Sequence, residues 1–394
     1  MNCIEKYREI YGKEPEKTTF CPYRLCTLGA HIDHQLGAIN GFAIDRGIHL
    51  AYSIKHNGVV ELQSLNFPKR AQFGVGQVEP QRVGDWADYL RGAALKLGEK
   101  FPLRFGLSGV LEGTLPIGGL SSSAAVTIAF LSALCEVNGI RLSDAEIIAL
   151  SQAAENDYVG VNSGKLDQSC EVLCRKNALL YLDCLDDSYE NVANPADRKP
   201  VSFGIFYSGI SRSLANSGYN LRVDECKSAS YALKAFAGMD CGPYRDTVLR
   251  QVPEQVFEQY GNRLPPAWRK RAAHFFSEWK RAQQGAALWK SGSPEAYGEL
   301  VVESGRSSIE NYECGCPELI ALYRLLRDRK GVYGARFSGA GFKGCCMALI
   351  DPEETDRIEQ EVGRAYLKEF PGLEGQYSFH TCVSADGVGR ARQL

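Results

Sequence analysis

Residues 115–125, Leu-Pro-Ile-Gly-Gly-Leu-Ser-Ser-Ser-Ala-Ala, restrict what this chain can build more than any other stretch. Gly118 and Gly119 free the backbone for angles that other residues avoid, and Ser121, Ser122 and Ser123 follow where an alanine-rich helix should begin. An apolar run at residues 126–134 supplies the body of that helix. Such a start is a cradle for phosphate. The first free N–H groups point at an anion, the macrodipole favours its charge, and the hydroxyls stand ready to donate to it or to ligate its metal. An ordinary serine N-cap after a glycine turn is the competing explanation, and the stretch alone does not separate the two. A metal ligand, a base and a second glycine loop elsewhere would decide the matter.

A chain of 394 residues exceeds what one core usually serves, so two domains are expected, and 44% apolar residues suffice to fill both. The net charge of −2, with no basic block or arginine-rich helix, argues against nucleic acid and anionic membrane as partners. The opening residues mix charges among apolar ones, unlike a signal peptide or an anchor, so a cytoplasmic protein is expected. Fourteen cysteines are spread along the chain, most inside apolar runs, as are Cys135, Cys174 and the Cys345-Cys346 pair, which reads as reduced core thiol. Cys314-Gly-Cys316 lacks the paired Cys-x-x-Cys units of a zinc site and reads as a turn.

In chain order, a short apolar strand runs into Gly29 and then His31, Asp33, His34 and Gln35. Alternation with Ile32 predicts His31 and Asp33 on one face of an extended segment, a face suited to sugar hydroxyls; a polar turn is the blander alternative, and metal ligation by His31, Asp33 and His34 a third. Residues 49–54 and 59–65 read as strands joined by an Asn57-Gly58 hairpin turn. Trp86 and Tyr89, three apart on an expected helix, share a face able to wall an adenine or to fill a core. Ser143-Asp-Ala-Glu146 is a capping box, and the stripe Ile147, Ile148, Leu150, Ala154, Tyr158 carries Glu155 inward, as a buried ion pair or a magnesium ligand. Gly164 permits a tight turn before Asp167, which is either an N-cap or a group that takes a proton from an attacking hydroxyl. The polar residues 183–199 mark a domain boundary, giving domains 1–195 and 196–394. Tyr219 falls in a polar loop ahead of a helix through Cys226 to Phe236, helical sequence fills 254–329, and a glycine-rich loop at 332–344 enters the strand 345–350. That loop is a second close-approach backbone.

With these pieces in order the chain resembles the GHMP small-molecule kinases, and within them the galactokinase branch, from about residue 21 to residue 351. All three family motifs are present, together with Gly-Lys-Leu-Asp167-Gln, Trp86-Ala-Asp-Tyr89 and Glu303-Ser-Gly-Arg-Ser. The resemblance implies a two-domain α+β fold, a ribosomal-protein-S5-type N-terminal domain and a ferredoxin-like C-terminal one, with ATP and sugar between them. It implies Asp167 as catalytic base on the anomeric hydroxyl, Arg24 facing it and the transferring phosphoryl group, and Ser122 and Glu155 as Mg2+ ligands. Gly118, Gly119 and Ser121, Ser122 and Ser123 would hold the ATP phosphates, Trp86 and Tyr89 the adenine, and Ala30, His31, Asp33, Gly164 and Tyr219 the sugar.

Two departures stand out. The galactokinase branch has Gly-Glu-His-Thr-Asp-Tyr where this chain has Gly29-Ala-His-Ile-Asp-His34, so the glutamate that accepts from the galactose C6 hydroxyl is Ala30. A sugar with a carboxylate at C6 would be repelled by that glutamate, by about 4 kcal/mol at ~4 Å and an effective dielectric near 20. Alanine removes the repulsion, and the sequence around it is more similar to the galacturonokinases. D-galacturonate 1-phosphorylation is therefore expected, against a galactokinase that satisfies C6 differently or a non-catalytic sugar and ATP sensor. His34, Lys165 and Arg212 are candidate cations for the carboxylate, and a monomer or weak dimer is expected. The second departure is a phosphate loop, Pro116-Ile-Gly-Gly-Leu, one residue shorter than the branch's Pro-x-Gly-x-Gly-Leu.

Overall fold

A computed structural model of the chain describes residues 2–196, 199–210 and 218–388. Its strands are β1 (Lys17–Leu28), β2 (Ala38–Lys55), β3 (Val59–Ser64), β4 (Ala71–Gly74), β5 (Gly106–Gly113), β6 (Ala178–Asp183), β7 (Tyr189–Ala193), β8 (Ser202–Tyr207), β9 (Val332–Phe337), β10 (Cys345–Ile350), β11 (Ser378–Cys382) and β12 (Ser384–Ala385). Its α-helices are α1 (Cys3–Tyr11), α2 (Asp88–Gly98), α3 (Ser122–Val137), α4 (Asp144–Ala153), α5 (Leu166–Leu173), α6 (Tyr219–Phe236), α7 (Glu254–Tyr260), α8 (Pro266–Lys290), α9 (Pro294–Glu310), α10 (Pro317–Leu326) and α11 (Thr355–Glu369).

The alternation of apolar residues sorts these elements into two sheets. An eight-stranded sheet runs β4-β3-β5-β2-β6-β7, with β1 and β12 also pairing to the long β2; a four-stranded antiparallel sheet runs β11-β8-β10-β9. Helix α3, almost wholly apolar along its length, is buried against β1 and β2 as its composition requires. Helices α8 and α9 join the sheets, α8 packing on β2 and α9 on β9, so that Trp289, Tyr297 and Val301 share one core with Phe42, Phe203 and Met347. A second core lies between the smaller sheet and α6, α8, α10 and α11, around Leu233, Phe275, Leu322 and Val362.

Four local expectations are corrected. Asn57-Gly58 does turn, with Gly58 at φ 69°, but it makes no hairpin. Strand β5 lies between β2 and β3, antiparallel to one and parallel to the other. Its glycines admit it there, because a Cβ on Gly106 would lie 2.1 Å from the Val59 carbonyl oxygen and one on Gly109 2.5 Å from that of Ala51. His31 and Asp33 are not on an extended segment: His31 has φ 64° and residues 33–35 form a 3₁₀ turn. Tyr219 is the first residue of α6 rather than part of a preceding loop. The capping box of Ser143 and Glu146 forms as expected. The stripe behind it does not continue as regular α-helix, because residues 154–159 wind as a π-turn, which turns Glu155 inward.

Candidate functional site

A cleft of about 750 Å³ opens beside the glycine-serine loop that precedes α3. Its walls come from both sheets: β1 and the turn after it, the loops before α2 and α3, the π-turn and residues 160–167, the start of α6, and the loop 338–344 between β9 and β10. Ala30, His31, Asp33, Gly164, Asp167 and Tyr219 line it, as do Trp86 and Tyr89 and the glycines and serines of residues 118–123.

Arg24 organises the middle. It sits on β1, where the pairing with β2 slips between Pro22 and Arg24. A proline cannot donate to the ladder, and such irregularities re-aim side chains. Arg24 is only 3% exposed. Its Nε donates to Asp167 Oδ1 at 2.7 Å and its Nη1 to the Gly119 carbonyl at 2.9 Å and Ser338 Oγ at 3.5 Å. One guanidinium thus ties the phosphate loop, the second glycine loop and Asp167 together. Burial opposes its charge, but the adjacent Asp167 carboxylate more than offsets this and the pKa rises. Asp167, on the first turn of α5, is engaged by Arg24 rather than capping that helix, and its side chain keeps 26% exposure toward the cleft.

The phosphate loop is not an ordinary serine cap. Ser121, the N-cap of α3, adopts φ 63°, and its hydroxyl makes no capping bond. Buried at the cleft wall, Ser121 Oγ has no hydrogen-bond partner among the described residues. Gly118 and Gly119 take φ 133° and 84°. The second glycine loop is pressed on the first: a Cβ on Gly344 would meet the Gly118 carbonyl carbon at 2.5 Å, and one on Gly339 the Gly119 Cα at 3.0 Å. Tyr207 from β8 donates to the Ile117 carbonyl at 3.0 Å, fixing the loop to the smaller sheet.

Glu155 is buried beside this helix start. It accepts from Gln168 Nε2 at 2.6 Å and Ser163 Oγ at 3.4 Å, with the Ser123 hydroxyl also bonded to it. Burial, then the charge of Asp167, pushes its carboxyl up to about 7. Asp33 is pushed up to about 6 by burial and by Asp167, although Oδ2 accepts the Leu166 N–H at 3.1 Å. Gly164 is required by this approach, since a Cβ there would lie 2.3 Å from Asp33 Oδ2. His31 stacks on Tyr312 with ring centroids 4.2 Å apart, its pKa driven well down by burial and then by His274. The Tyr219 hydroxyl is raised by burial and by Asp33 and Asp167.

Of the candidate cations, two are turned from the cleft. Burial pushes the imidazole of His34 down to about 3, leaving it neutral, and its ring is held between Gln35 Nε2 at 2.9 Å and the Tyr312 hydroxyl at 3.2 Å. Lys165 is ion-paired to Asp187 on the outer face. Arg212 lies outside the described residues. Two cleft residues escaped the sequence reading. Phe67 stacks on Trp86 with centroids 6.0 Å apart and planes 5° from parallel; its signal was an aromatic at the end of β3, in Asn66-Phe67-Pro68. Lys343 lines the cleft from the second glycine loop. No helix among the described residues is long and apolar enough to cross a membrane.

Comparison with known proteins matches this geometry to one family. Residues 88–175 fit the GHMP kinases N terminal domain, 286–369 the GHMP kinases C terminal domain, and 5–54 the galactokinase galactose-binding signature. A galacturonokinase of Arabidopsis thaliana is 39% identical, over 94% of this chain and 93% of its own. A galactokinase of Roseiflexus sp. is 31% identical, over 98% and 96%. The structure of Lactococcus lactis galactokinase complexed with galactose superposes with a TM-score of 0.86 at 28% identity, covering 98% of this chain and 97% of that one. A mevalonate kinase shares the fold, with a TM-score of 0.64 at 16% identity. The chain belongs to the GHMP kinase family, as an ATP-dependent sugar kinase of the branch that holds galactokinase and galacturonokinase.

Proposed function

We propose that the protein phosphorylates the anomeric hydroxyl of D-galacturonate with ATP, giving galacturonate 1-phosphate. The observation that carries this is Ala30. It is 4% exposed, sits at the sugar end of the cleft between Gly29 and His31, and brings no acceptor for a C6 hydroxyl and no negative charge against a C6 carboxylate. The higher identity to galacturonokinase than to galactokinases supports the same choice. Arg24 and Asp167 remain paired in the cleft and Glu155 remains buried beside the phosphate loop, which favours a working enzyme over a silent sensor.

In this proposal Asp167 accepts the proton of the anomeric hydroxyl. The sugar oxygen forms the new P–O bond as the bond to the β-phosphate oxygen breaks and ADP leaves. Arg24 holds Asp167 in place and offers positive charge to the transferring group. His31, Asp33, Gly164 and Tyr219 orient the sugar, and Trp86 and Tyr89, with Phe67, receive the adenine. Ser122 and Glu155 fit a magnesium ion. Ser122 is an oxygen donor at the start of α3 and Glu155 one buried beside it, and a carboxyl raised by burial gains from a cation beside it. The ion would neutralise phosphate charge. The chain divides into ligand-binding domains 1–195 and 196–394 in this proposal, the protein working in the cytoplasm as a monomer or weak dimer.

A coupled ADP-release assay with Mg-ATP tests the substrate, comparing kcat/KM for D-galacturonate, D-galactose and D-glucuronate. Preference for galacturonate is expected. Preference for galactose would overturn the argument from Ala30, and no turnover with ATP still bound would favour the sensor.

A further inference from the structure

The cleft of an ATP-dependent kinase must hold a polyanion, yet the charged side chains that line this one are mostly acids. Asp33, Asp85, Glu155 and Asp167 face it, whereas among the described residues lining it the only lysine or arginine side chains are Arg24 and Lys343. Arg24 is already engaged by Asp167 and the Gly119 carbonyl. Lys343 is half-buried and makes no ion pair or hydrogen bond to any described residue. An ammonium half-withdrawn from water without a counter-charge gains when a ligand supplies one.

Its position says which ligand. Gly344, the next residue, packs directly on the phosphate loop: with φ 92°, a Cβ on it would lie 2.5 Å from the carbonyl carbon of Gly118 and 2.8 Å from the Gly119 nitrogen. Lys343 therefore leaves the chain one Cα step, ~3.8 Å, from that contact. The start of α3 and the unpartnered, buried Ser121 hydroxyl lie beside the same glycines. Free helix N–H groups, a hydroxyl without a partner and an ammonium without a counter-ion thus line the same cleft, on two loops that touch through their glycines. We propose that Lys343 is a phosphate-binding residue, reaching from the second glycine loop to the triphosphate of the bound nucleotide and supplying positive charge that the first loop lacks. Burial alone lowers the Lys343 pKa, with no carboxylate raising it, in keeping with a cation that has no protein partner.

The test is direct nucleotide binding to the purified protein without sugar, using ATP, ADP and AMP, for wild type, Lys343→Met and Lys343→Arg. A charged hydrogen bond of this kind is worth roughly tenfold to a hundredfold in affinity. Lys343→Met is expected to lose that much on ATP and little on AMP, while Lys343→Arg recovers most of it. The ratio of galacturonate to galactose turnover stays at the wild-type value. Unchanged ATP affinity in Lys343→Met, or an equal loss on ATP and AMP, overturns the proposal. So does a sugar ratio that moves toward galactose with ATP binding intact, which would assign Lys343 to the sugar carboxylate. The inference rests on the kinase reading of the cleft but not on the choice of sugar: a wild type that prefers galactose would refute the role of Ala30 and leave the nucleotide measurements untouched.

Discussion

Replacing Ala30 by glutamate asks the sugar end of the cleft to choose again. Ala30 is almost fully buried and its own carbonyl accepts a hydrogen bond from His274 Nε2 at 3.0 Å, so the backbone is held while the new side chain enters the cleft. Two unit charges at ~4 Å in an effective dielectric near 20 repel by about 4 kcal/mol, roughly a thousandfold in kcat/KM for a substrate with a C6 carboxylate. For galactose the same group is an acceptor for the C6 hydroxyl, worth about 1.5–3 kcal/mol. Burial works against the charge, as it does for Asp33, which stands at about 6 in the same pocket. With the charge weakened by burial, a shift of roughly a hundredfold to a thousandfold toward galactose is the working expectation. The sign with pH follows, since raising the pH ionises the group and enlarges the discrimination against galacturonate. The assay is kcat/KM for both sugars in Ala30→Glu and wild type at pH 6 and pH 8, with thermal melting as the folding control. A folded variant whose galacturonate-to-galactose ratio stays at the wild-type value at both pH values would mean that residue 30 does not set the choice of sugar.

Further perturbations test the rest of the cleft. Asp167→Asn should bind sugar and ATP but lose roughly 10²–10⁴-fold in kcat, as the removal of a general base does; near-normal turnover would take Asp167 out of that role. Glu155→Gln should raise the Mg2+ concentration needed for half-maximal rate, and should abolish a tightening of Mg2+ binding as the pH rises through about 7, the value to which burial brings the carboxyl. Because Glu155 and Asp33 have folded-state values raised above their unfolded ones, their contribution to the stability of the ligand-free protein is present in acid and lost as the pH rises through about 7 and about 6. The melting temperature of Glu155→Gln should accordingly gain on wild type between pH 5 and pH 8, read by calorimetry. Gly344→Ala places a methyl group 2.5 Å from Gly118 at φ 92° and should cost about 1–3 kcal/mol of stability together with most of the turnover; a normal melting curve with full activity would mean the two loops part without consequence.

What the residues alone disclose depends on the range of each physical signal. Gly118-Gly119 and the serines after them could be read because a phosphate cradle is local, and so could the Ser143 capping box. Asp167 stood out at the head of an apolar helix, but its partner Arg24 is 143 residues away, and no periodicity reports a bond of that separation. The Asn57-Gly58 turn signals a reversal without saying which strand will lie beside it, and β5, with its glycines, takes that place. The residues chosen as counter-ions, His34 and Lys165, were near the sugar motif in the chain, yet burial neutralises one and Asp187 holds the other. Lys343 escaped notice because its meaning comes from Gly344 resting on Gly118, a contact made by folding across the two sheets. The π-turn at Glu155 was likewise invisible, although the inward placement it produces was anticipated from the stripe of Ile147, Leu150 and Ala154.

The proposed activity is selection of a sugar acid and its phosphorylation at C1. The most direct measurement puts equimolar D-galacturonate and D-galactose in one tube with limiting Mg-ATP and counts the two sugar phosphates by ³¹P NMR, the product ratio being the ratio of the two kcat/KM values. An anomeric phosphate on galacturonate in large excess is expected. A majority of galactose 1-phosphate, or phosphate on a hydroxyl other than the anomeric one, would contradict it.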